Sequence, residues 1–79
     1  MPELVTEKDM ERVLAITRRL YEKVGLEATL SELAALATAG STYSLPAAII
    51  LGDYYATLCP GGFSGIRPEL AMQIVLSPP

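Results

Sequence analysis

Histidine is absent from the 79-residue chain, and cysteine occurs once, at Cys59. Without histidine, the sequence lacks the side chain that most often binds metals and acts as a general base near neutral pH. A single cysteine excludes an internal disulfide, so the fold has no covalent staple and a reducing cytoplasm is the expected compartment. Cations are scarce too: six Lys and Arg stand against nine Asp and Glu, for a net charge of −3 and a pI of about 4.7. General affinity for nucleic-acid phosphates needs clustered cations, and this balance argues against it.

Charge of either sign is nearly missing from the second half. Residues 1–32 hold seven of the nine acids and five of the six bases, leaving Asp53, Arg67 and Glu69 beyond Glu32. Even so, no apolar run is long enough to cross a bilayer. The stretch "YSLPAAIILGDYYATLCPGG", Tyr43 to Gly62, carries Asp53 at its centre, and its unbroken apolar part covers only Leu45–Leu51 where about 20 residues are needed. The start, "MPELVTEKDMER", is acidic and polar where a secretory signal is basic and then apolar, so export is not expected.

What the chain has is apolar surface. Hydrophobic residues make up 51% of it and the mean hydropathy is +0.35. A chain this short, read as one domain over 1–79, hides only roughly 60–65% of its unfolded surface and gains a few kcal/mol from its core. Small size combined with high hydropathy calls for a partner.

The pattern is all-α, a bundle of three to four short helices. For the first, over 7–24, Thr6 caps, Asp9 sits at the capping-box position and Val5 staples onto Met10. Met10, Val13, Leu14, Thr17, Leu20, Tyr21 and Val24 form one stripe at 3.6 residues per turn, and Gly25 stops the helix. A second helix is predicted over 30–39 from the capping box "TLSE", with Leu30, Leu33, Ala34 and Ala37 turned inward and Gly40 at its end. The third is predicted over 45–58, with Pro46 in its first turn and "CPGG" as its stop. A last helix over 68–75 begins at Pro68, and a strand over Met72–Leu76 is its alternative.

The third helix carries two apolar faces. One holds Leu45, Ala48, Ile49, Gly52, Ala56 and Cys59; the other holds Ala47, Leu51, Tyr54 and Leu58; Pro46, Asp53 and Thr57 form a strip suited to water. A helix that is apolar on nearly all sides is buried on nearly all sides. Tyr54 and Tyr55 point about 100° apart, so one core does not bury both, and tyrosine is enriched at interface centres. The expected partner-binding residues are therefore Ala47, Leu51, Tyr54, Tyr55 and Leu58.

Catalytic readings fare poorly. "LCPGGFSG" places Cys59 before a glycine-rich loop, but thiol catalysis needs a base or a depressed pKa, and the phosphate-loop pattern GxxxxGK[ST] is missing. Asp53 has no acidic neighbour to pair with and reads as exposed or as a partner of Arg67. No catalytic residue, cofactor or metal site is expected. The segment "TLSELAALATAGSTYSLPAAIIL" has a helix, turn, helix outline, but "SLPAAIIL" lacks the Arg, Lys, Asn or Gln that reads base edges. The leading expectation is a non-catalytic protein-binding module, an accessory subunit or an inhibitor that occupies a surface of a larger protein, with self-association into a homo-oligomer also expected. The alternative is a small dimeric DNA-binding regulator presenting Arg12, Arg18, Arg19 and Lys23.

Overall fold

Thr6 opens the first helix by the chemistry its position calls for. With extended backbone (φ −81°, ψ 151°), its hydroxyl accepts a hydrogen bond from the Asp9 amide at 3.1 Å, satisfying a donor that every helix start leaves free. The computed structural model describes residues 5–58 and 66–77. Four helices account for most of them: α1 Glu7–Val24, α2 Leu26–Ala37, α3 Ser44–Thr57 and α4 Pro68–Leu76. Among the described residues there is no strand, and no helix is long and apolar enough to cross a membrane.

Along α1, Val13 and Thr17 are fully buried, while Val24, last in the apolar stripe, is half exposed at the helix end. Thr17 tolerates burial because its hydroxyl donates to the Val13 carbonyl at 2.6 Å, one turn back.

The second helix starts a turn earlier than the capping-box reading placed it. Gly25 alone separates α1 from α2, with φ 87° and ψ 179°, a region essentially reserved for glycine. Its amide donates to the Tyr21 carbonyl at 3.1 Å, and its own carbonyl accepts from the Thr29 amide at 3.2 Å and the Thr29 hydroxyl at 2.7 Å. Thr29 is thus inside the helix, fully buried and bonded backwards, and does not cap it. The reason is burial: starting at Leu26 sets Leu26 and Leu30 one turn apart against the same apolar cluster.

Between α2 and α3, Gly40 takes a positive φ of 73°. The Ser44 hydroxyl pins this turn by donating to the Leu36 carbonyl at 2.7 Å and accepting from the Ser41 amide at 2.9 Å.

Packing follows from these joints. The α2 and α3 helices share the largest interface, with α1 against both and α4 chiefly on α3. Val13, Leu33, Ala47 and Ile50 form one buried cluster, and Tyr54, Ala71, Met72 and Leu76 form a second. Leu14 and Val75 touch both clusters, which makes the core continuous. The last segment is a helix, not a strand, because Ala71, Met72, Val75 and Leu76 recur at helical spacing on its inward side. Arg18 ties it to α1 by donating to the Leu76 carbonyl at the C-terminal end of α4, and the Tyr21 hydroxyl donates to the Glu69 carbonyl at 3.3 Å.

Candidate protein-binding surface on the third helix

Both sides of α3 are apolar, and only one of them faces the core. Ala47, Ile50 and Tyr54 are buried, with relative exposures of 0%, 1% and 2%, and Leu51 and Leu58 flank them half-buried. Pro46 is also buried and Thr57 half-buried, so the strip expected to meet water reduces to Asp53. Thr57 accommodates this by donating its hydroxyl to the Asp53 carbonyl at 2.8 Å.

The outward side runs through Tyr55, Ala48, Gly52, Leu45, Ala56 and Ile49, an arc of about 120° at 100° per residue. All six are exposed, with Tyr55 at 57%, Leu45 at 45% and Ile49 at 37%. No charge lies within the arc, and Asp53 stands at its edge. At its N-terminal end a hollow of about 370 Å³ opens beside Leu45 and Ala48, walled by Ala37 and the Gly40–Thr42 turn.

This orientation corrects the expected partner-binding set. Ala47 and Tyr54 belong to the core of the monomer, Leu51 and Leu58 pack along its margin, and of the five only Tyr55 is exposed. The two-face reading assigned Ile50 to neither side, yet its position between Ala47 and Tyr54 at helical spacing decides the matter. With Ile50 in the same register, that side meets the stripes of Val13 and Leu33 and of Met72 and Leu76, while the outward side keeps Leu45, Ile49 and Tyr55 exposed.

The adjacent tyrosines divide as their geometry requires. Tyr54 points in and Tyr55 out, their rings meeting edge-on with centroids 5.2 Å apart. Burial, and then the neighbouring Tyr55, Glu69 and Tyr21, raise the Tyr54 phenol above its ordinary pKa.

Gly52 sits in the middle of this outward arc. A Cβ added there would meet no atom within 4 Å, and its φ is not positive. Neither space nor backbone conformation in the folded chain calls for glycine. Yet glycine inside a helix costs about 1 kcal/mol relative to alanine.

No catalytic constellation accompanies this surface among the described residues, where no group of three or more His, Cys, Asp or Glu side chains is placed to hold a metal ion. Cys59 and the loop that follows it lie outside the described residues. Comparison with protein-family models, with curated proteins and with solved structures yields no match to the chain.

Proposed function

We propose that the chain is a small non-catalytic protein-binding module that acts by occupancy, as an accessory subunit or as an inhibitor covering a surface of a larger protein, through the outward face of α3. Gly52 carries the reading. An unforced glycine in mid-helix, flanked one turn away by Ala48 and Ala56, lets a second helix approach closely. Leu45, Ile49 and Tyr55 surround this shallow strip with larger exposed apolar groups.

The DNA-reading alternative would present Arg12, Arg18, Arg19 and Lys23 of α1, of which Arg12 is bonded to the Tyr43 hydroxyl and Arg18 to the Leu76 carbonyl, and it draws no added support from α3. Its first turn offers Ser44, Leu45, Pro46 and Ala47, and the one hydroxyl among them is held by the Leu36 carbonyl. Base edges and phosphates are contacted by free polar and cationic groups.

Gly52→Leu tests the proposal, since the new side chain projects into open space and the fold should survive. Sedimentation equilibrium and affinity capture from native lysate, run on the parent chain and the variant, should show assembly for the first and its loss for the second, with helix content unchanged. If Gly52→Leu and Tyr55→Ala both leave self-association and the captured protein unaltered, the outward face is not the interface.

A further inference from the structure

Between α1 and α2 lies an apolar groove of about 310 Å³ whose floor is formed by Val13, Leu20, Leu33 and Leu36, with Ile16 on one lip and Glu32 on the other. Ile16 is 47% exposed and is shared with a second hollow of about 270 Å³, lined also by Arg12, Ala15, Arg19 and Tyr43. Two recesses, each lined mainly by apolar surface, thus meet at one isoleucine. The first is bordered by the carboxylate of Glu32, the second by the guanidinium groups of Arg12 and Arg19.

The charge on this side of α1 is ordered. At 100° per residue, Lys8, Arg12, Arg19 and Lys23 fall within about 60° of arc directly beyond Ile16, and all four are exposed. Of the α1 acids, Glu7, Glu11 and Glu22 fall with Arg18 beyond the far edge of this row, and Asp9 lies beside Ile16, where its charge acts on Arg12. Arg12 is held in place by donating to the Tyr43 hydroxyl at 3.0 Å. The result is a row of cations running beside an apolar trough.

We infer that this groove docks an amphipathic helix of a partner protein, one whose apolar ridge is bordered on one side by carboxylates. Helix-in-groove recognition uses anchors spaced i, i+3, i+4 and i+7, which suits a trough between two helices. The cations select acidic residues on the edge lying over α1, and Glu32 disfavours acids on the other edge, so the charge pattern also sets the direction of docking. A volume near the lower end of small-ligand sites, about 300–1,000 Å³, fits a few aliphatic side chains inserted from a surface. Among the described residues a second copy offers no row of carboxylates beside an apolar ridge, since the outward face of α3 has Asp53 alone at its edge. Among the described residues, the exposed Leu70 and Ile74 of α4 have one acid, Glu69, on their helix. Duplex DNA would use the cations and leave the trough empty. The groove is separate from the α3 face and does not rest on it.

Two labelled synthetic helical peptides with leucines at i, i+3, i+4 and i+7 test the inference, one with glutamates along one edge and the other with lysines in their place. Fluorescence anisotropy on the full chain should give at least about tenfold tighter binding of the glutamate peptide, a preference that shrinks as salt rises. Arg19→Glu/Lys23→Glu, which leaves the Arg12–Tyr43 hydrogen bond in place, should invert the preference without changing the circular dichroism. Ile16→Ser should weaken both peptides. Equal binding of the two peptides, an unchanged preference in the double variant, or tighter binding of a mixed-sequence DNA duplex than of the glutamate peptide would each overturn it.

Discussion

The inward and outward sides of α3 hold similar kinds of residue and meet different fates. Ala47, Ile50 and Tyr54 vanish into the core, while Ala48, Ile49 and Tyr55, each one position away, stay exposed. A rotation of about 100° separates the members of each pair. Hydropathy alone therefore does not orient a helix of this kind. What orients it is which side keeps its large groups in unbroken helical register with the stripes of its neighbours, here Val13 and Leu33 on one side and Met72 and Leu76 on the other.

The tyrosine pair offers the hardest test of that contrast. Tyr54→Ala should cost about 3–5 kcal/mol, comparable with the whole stability of a domain this size, about 3–5 kcal/mol from its core. Circular dichroism should then show an unfolded chain at room temperature. Tyr55→Ala should remain folded, with a stability change within about 0.5 kcal/mol. Equal losses for the two would mean that the rings share one buried environment.

Slightly smaller is the isoleucine comparison. By urea titration, Ile50→Ala should lose about 2–5 kcal/mol through lost burial and a cavity, and Ile49→Ala should stay within about 0.5 kcal/mol. A large loss at Ile49 would place the outward face in contact with something already in the monomer. Gly52→Ala sharpens the contrast from the other direction, because it should raise monomer stability by up to about 1 kcal/mol. A rise in melting temperature together with weaker assembly would show that the glycine serves a partner. A fall in melting temperature would show that it serves the fold.

The smallest effect concerns pH. Tyr54 has its pKa raised in the folded state, so the neutral phenol is favoured there, and the folded chain holds a proton that the unfolded chain gives up near pH 10. Its contribution is complete below the unfolded pKa and is lost as pH climbs through the folded one. Stability should decline above about pH 10, and Tyr54→Phe should flatten that decline.

Most of the architecture was legible in the residues themselves. Thr6, Gly25, Pro46 and Pro68 mark helix ends by local chemistry, and the boundaries of α1, α3 and α4 fall within a residue of where such signals place them, whereas α2 ends at Ala37, short of Gly40. "TLSE" misled because a capping box is a local pattern, whereas Leu26 is drawn into helix by packing against a cluster built from residues far along the chain, Tyr54, Ala71, Met72 and Leu76. The orientation of α3 was hidden for the same reason. Ala47 and Ala48 are identical to any local rule, and only the stripes of α1, α2 and α4 distinguish them. The cation row on α1 was visible as residues but not as a wall, since the groove beside it exists only once Leu33 and Leu36 of α2 lie alongside.

The one-residue joint at Gly25 also has a consequence in time. Contacts such as Val13 with Leu33 close a short loop across it, while those that bring Met72 and Leu76 to α1 and α2 must wait for a much longer stretch of chain to be ordered. The α1–α2 corner should therefore form early in folding and α4 should dock late. In stopped-flow refolding, Leu33→Ala should chiefly slow folding and Met72→Ala should chiefly speed unfolding. A chain assembled in that order exposes the cation-lined groove before its core is closed, so a partner present during synthesis could bind a half-made protein and hasten the rest.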